Sequence, residues 1–169
     1  MAKKSTIYIT RAGIISALYV VLSLIVFPFA SGAVQVRLGE AFCILPLFFP
    51  EAVVSLFIGC VIVNLITACA VYDVVFGGLI TLVSALLTLV IGKAIKNRLL
   101  KLLAGGSFPV FLNAFLLPVI WFFCYGQLEY LYILQVAFLF VGQAISVYGL
   151  GGALFFTLDK YKKGLIYNK

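Results

Sequence analysis

Gln35, Arg37 and Glu40 lie close together in the run AVQVRLGEAFCILPLFFPE, residues 33 to 51, which ends on a further acid, Glu51. They stand out because the chain is 65% hydrophobic and only 10% charged. An ionised side chain surrounded by lipid costs on the order of several kcal/mol unless it pairs or binds something. Two accounts meet that cost. In one, Arg37 and Glu40 form an ion pair at i and i+3 while amides elsewhere bridge helices. In the other, the charges and amides converge on a cavity and hold a small polar solute with both donor and acceptor edges. The second has the wider support, because Asn64, Asp73, Asn113, Trp121, Gln143 and Tyr148 add polar groups that fall toward the same side or on spans leading from it.

The chemistry expected is recognition rather than catalysis. There is no histidine, and Cys43, Cys60, Cys69 and Cys124 are scattered without CxxC spacing, so neither a metal nor another cofactor is expected. No GxSxG elbow, HExxH pair or phosphate-binding P-loop occurs. Any ATP-driven step therefore belongs to other subunits.

The elements that must position these residues are membrane spans. A mean hydropathy of +1.26, with apolar runs of spanning length, places the chain among integral membrane proteins. Its 169 residues suit one all-helical domain, 1–169. Six crossings are expected. The first covers roughly residues 9–30 and is retained, since no small-residue cleavage site follows it. The second, 37–49, is short at about 1.5 Å per residue, which leaves room for a cavity. Glu51 and Asp73 are expected to cap the third and fourth helices, 51–70 and 73–92. A basic hairpin through Lys93, Lys96, Arg98, Lys101, Gly105 and Gly106 leads to the fifth, 108–125, where Pro109 and Pro118 accompany Asn113 and Trp121. The sixth, 130–158, carries Gln135, Gln143 and Ser146 in one sector of the helix.

The +7 net charge is not that of a nucleic-acid binder. Eleven of the twelve bases fall in three clusters separated by even numbers of crossings: Lys3, Lys4 and Arg11; Lys93 to Lys101; Lys160 to Lys169. Under the positive-inside rule both termini are then cytoplasmic, with Arg37, Glu40, Asp73 and Glu129 on or near the outer side. Two small-residue stripes follow helical spacing. Gly77, Thr81, Ala85 and Thr88 read as helix packing. Ala12, Gly13, Ser16 and Ala17 read either as packing or as a face for a partner protein.

The run GAVQVRLGEAFCILPLFFPEAVVSLFIGCVIVNL, residues 32 to 65, with DVVFGGLITLVSAL, residues 73 to 86, and more weakly FPVFLNA, residues 108 to 114, resembles the QueT family. Its proteins are substrate-binding S components of energy-coupling factor (ECF) transporters for queuosine precursors. The resemblance implies a six-helix S component in a prokaryotic plasma membrane. Its partners would be a transmembrane coupling subunit, docked on Ala12, Gly13, Ser16 and Ala17, and two ATP-binding cassette ATPases. It also implies a 7-deazaguanine-type solute. Glu40 or Asp73 would accept from the paired donors of the base, an amide of Asn64, Asn113 or Gln143 would meet its carbonyl edge, and Trp121, Phe42 or Tyr148 would stack on the ring. Gly39 and Gln143 depart from the family pattern, which more often has Ser and an acid there; losing the acid weakens binding of a cationic side chain and implies a neutral or differently substituted precursor. Two other readings stay open: an S component for another vitamin or nucleobase, and a channel or scaffold whose polar groups only join helices.

Overall fold

Backbone polar groups in hydrocarbon must be satisfied within their own segment, and a sequence this apolar meets that demand with helices. The computed structural model describes residues 2–27, 36–67, 70–126, 128 and 130–166, with side chains from residue 5 to residue 161. Every regular element among them is helical. In chain order these are α1 (Ala2–Val26), a 3₁₀ helix (Leu38–Leu47), α2 (Ala52–Ile66), a π-helical turn (Asp73–Gly77) running into α3 (Gly78–Ala94), α4 (Arg98–Tyr125), and α5 (Tyr132–Ala144), which passes through a second π-helical stretch (Ile145–Leu150) into α6 (Gly151–Ile166).

Four of the resulting rods are long and apolar enough to cross a membrane: Ser5–Val26, Asp73–Ala94, Arg98–Tyr125 and Tyr132–Tyr161. The other two are shorter. The third helix stops at Ile66 rather than Ala70, so at about 1.5 Å per residue it falls short of a hydrocarbon core of roughly 30 Å. Gln35, Cys69 and Glu129 lie outside the described residues.

The short 3₁₀ helix is the axis of the bundle. Eight of its ten residues, from Gly39 to Leu47, are buried, including Glu40, Ile44 and Pro46. A 3₁₀ run this long is uncommon, because its hydrogen bonds are poorer than those of an α-helix. Packing from every side holds it in place. A Cβ on Gly92 of α3 would lie 2.8 Å from the Cα of Leu47, and one on Gly151 would lie 2.8 Å from the carbonyl oxygen of Ala41. Those glycines let two helices close on the axis backbone to backbone. Ile44, Leu56, Val110, Val147 and Phe155, each 0 or 1% exposed, complete the core around it.

The two ends of the bundle differ. At the far end of the axis Phe48 packs on Phe155 at 5.1 Å between ring centroids, and Arg11 lies over the Phe49 ring at 5.6 Å. Arg98 there pairs with Asp159 at 2.5 Å. The basic segment is not a hairpin through Gly106, as its glycines predict. The turn between α3 and α4 is confined to residues 95–97, where the Asn97 side chain caps α4 by accepting from the Leu100 N–H at 3.1 Å. Gly105 and Gly106 are buried inside α4, packed against Leu47 and Tyr148. They serve helix contact, not chain reversal.

Candidate functional site

At the opposite end of the axis, α2, α3, α4 and α5 converge on the start of the 3₁₀ helix around a cavity of about 100 Å³. Its wall contains Arg37, Glu40, Asn64, Asp73, Asn113, Trp121 and Gln143, seven of the eight residues expected to bind solute. Gln35, the eighth, is not among the described residues. Helical spacing explains the convergence. Cys60 and Asn64 on α2, Gly77 and Thr81 at the head of α3, and Asn113, Leu117 and Trp121 on α4 each repeat every four residues and so present one face inward.

Both cavity acids are held by the protein. Tyr19 of α1 donates its hydroxyl to Glu40 Oε1 at 2.9 Å, and the Cys43 thiol donates to Glu40 Oε2 at 3.0 Å. Trp121 donates its indole N–H to Asp73 Oδ1 at 2.7 Å, and Tyr125 donates to Oδ2 at 2.6 Å. Asn64 donates to the Asp73 carbonyl at 3.0 Å. Each carboxylate oxygen accepts one of these bonds and has a second lone pair for another donor. The Arg37 backbone N–H donates to Ser146 Oγ at 3.2 Å, which ties the start of the axis to the second π-helical stretch.

Gln143 behaves differently from the other polar wall residues. It is 4% exposed, and its Oε1 has no hydrogen-bond partner among the described residues. A buried acceptor left unmade costs about 1–3 kcal/mol. Gln135, from the same sector of the helix, is also buried with an unpartnered Oε1, but it does not line the cavity.

Several expectations are corrected. Asp73 and Glu51 do not cap their helices with their side chains. The Asp73 carboxylate turns instead toward α4, and buried Glu51 pairs with Arg11 of α1 at 3.6 Å. Tyr148 is not in the cavity wall; its hydroxyl donates to the Leu103 carbonyl at 2.9 Å. Phe42 packs against the hydrophobic core instead. Gly77 and Thr81, read from their spacing as helix packing, line the cavity, as does Cys60; sequence reasoning gave no role to Tyr19, Cys43 and Tyr125, which orient its acids. For Cys60 and Thr81 the usable signal was their four-residue spacing from Asn64 and Gly77.

A second concavity lies on the outside of the bundle. Ala12, Gly13, Ser16 and Ala17 of α1 line an apolar groove together with Val54 and Ile58 of α2. None of the four is buried, and a Cβ on Gly13 would meet nothing within 4 Å. The stripe is thus not consumed by packing within the described chain.

Neither a curated protein nor a solved structure matches the chain. The family model described as QueT transporter matches residues 9–160, nearly the whole of it. The chain, an all-helical multi-pass membrane protein, therefore belongs to the QueT transporter family.

Proposed function

We propose that the protein is the solute-capturing S component of an ECF-type importer and that its solute is a 7-deazaguanine-type precursor of queuosine. The observation that carries this reading is the Gln143 amide oxygen, buried in a polar cavity with no donor among the described residues. A solute N–H supplies the missing bond. The rest of the wall suits a base with clustered donors: it holds two carboxylates, each oxygen of which has a second lone pair beyond the one its protein donor uses. With its N–H engaged by Asp73, Trp121 offers its ring face for stacking. Because the cavity is small, about 100 Å³, it favours a flat heterocycle over a bulky nucleoside.

The remaining assignments fit the same picture. The chain crosses the membrane six times, with the shorter of the two short rods, Leu38–Leu47, enclosed by the other helices. The basic end faces the cytoplasm of a prokaryotic cell, and the cavity opens outward. The exposed groove on α1 and α2 receives the transmembrane coupling subunit, and two ATP-binding cassette ATPases drive the cycle, so this chain needs no catalytic residues of its own. The test is thermal stabilisation of the purified protein by micromolar 7-deazaguanine, lost in Glu40→Ala and Asp73→Ala. No shift with any deazapurine, alongside unchanged stability when both acids become amides, overturns the reading in favour of a helix-joining role.

A further inference from the structure

Helix α1 is attached to the rest of the protein in an unusual way. Of its described side chains only Tyr19 is buried, at 3% exposure. The Tyr19 ring is seated on α2 where a Cβ on Gly59 would come within 2.8 Å of it, so glycine is what lets the ring enter. Its hydroxyl ends on Glu40 in the cavity wall. A second polar clip from α1 is Arg11 on Glu51. Glu40 lies in the first turn of the 3₁₀ helix and Glu51 just beyond its end, so α1 is pinned near both ends of the axis and otherwise lies on the outside of the bundle. Between those pins α1 carries its half of the apolar groove. On one side Tyr19 also borders a small void of about 40 Å³, lined by Ser23, Arg37, Asn64 and Thr67, which gives the ring room to shift.

We propose that Tyr19 is a positioning residue that ties the Glu40 carboxylate to the α1–α2 groove, so that solute at Glu40 and an apolar helix docked in the groove change each other's affinity. The inference rests on the solute reading above. The same carboxylate that accepts from Tyr19 takes the solute's donors, so capture alters the bond that pins α1, and with it the groove. Linkage makes the effect reciprocal: a helix seated on α1 alters solute affinity by the same factor. Tyr19 itself need not touch the solute.

The test places nitroxide spin labels across the groove of the full chain in nanodiscs, on Ala17→Cys and Ile58→Cys, with Cys69 and Cys124 changed to Ser. Interlabel distances are compared with and without saturating 7-deazaguanine, and binding is titrated in parallel. In the otherwise unchanged protein the distance distribution shifts on binding. In Tyr19→Phe the base binds about tenfold more weakly, as loss of one bond to a charged acceptor implies, and at saturation the distribution does not move. A solute-free arm is independent of the ligand's identity: Glu40→Gln and Tyr19→Phe alter the distribution alike, and the double variant adds nothing further. An unaltered distribution in both single variants, or full additivity between them, overturns the proposal. If 7-deazaguanine does not bind while the solute-free arm behaves as expected, the solute assignment falls and the Tyr19 tie stands.

Discussion

Replacing Gln143 with leucine should move stability and binding in opposite directions. The side chains are similar in volume, and Gln143 is 4% exposed with no partner for its Oε1 among the described residues. Removing that oxygen relieves a desolvation cost of about 1–3 kcal/mol, and loss of the amide N–H groups takes back about 1 kcal/mol. The solute-free protein should therefore be as stable as the parent or more so, by up to about 2 kcal/mol. In a chain of this size that is roughly 2–4 °C in Tm per kcal/mol. Affinity for the base should fall about 10- to 100-fold, since its donor is then buried without an acceptor. The assay is built into the cavity: Trp121 is the only tryptophan in the chain and lines the wall, so its fluorescence reports both unfolding and occupancy. Gln135→Leu is the matched control, with the same orphaned oxygen outside the cavity, and should share the stability effect while leaving affinity unchanged. The reasoning is refuted if Gln143→Leu keeps affinity within about twofold, or if it lowers Tm while Gln135→Leu does not.

Three other outcomes follow from the geometry. Trp121→Phe removes the 2.7 Å bond to Asp73 and should cost about 1.5–3 kcal/mol of solute binding by isothermal titration, with the loss reaching Asp73 through its orientation. Gly92→Ala drives a methyl into the backbone of Leu47 and should lower stability by about 1–3 kcal/mol in thermal unfolding, whereas Gly13→Ala, which meets nothing, should be neutral or slightly stabilising. Gly13→Leu should yield protein that still binds deazaguanine but no longer co-purifies with the proposed coupling subunit, because it fills the exposed groove.

The sequence exposed the polar wall of the cavity better than its supports. Charged and amide residues are so rare in this chain that Arg37, Glu40, Asn64, Asp73, Asn113 and Gln143 announce themselves by type, and lipid leaves them few places to go other than inward. Trp121 is legible for the same reason. Tyr19 and Cys43 are not, because a tyrosine or cysteine in an apolar run carries no mark of what its one donor will reach. The stripe on α1 was legible as small residues, but whether it faced inward or outward depended on how α1 lies against α2. The extent of α4 was misread because Gly105 and Gly106 signal a turn in isolation. Within the bundle they are the residues small enough to admit Leu47 and Tyr148. The acids Glu51 and Asp73 sit where helix caps belong, yet tertiary partners, Arg11 in one case and Trp121 with Tyr125 in the other, outcompeted the local backbone for their oxygens.

The tight winding of the buried axis also stores length. Ten residues climb about 2.0 Å each in a 3₁₀ helix and about 1.5 Å each in an α-helix, so Leu38–Leu47 spans some 5 Å more than it would if it rewound. A change of pitch there would draw Glu40, seven residues from Leu47, about 3.5 Å toward the basic end while the surrounding helices stayed in place. In a small chain this is a compact source of travel, lying along the line that joins the polar cavity to the basic end of the bundle.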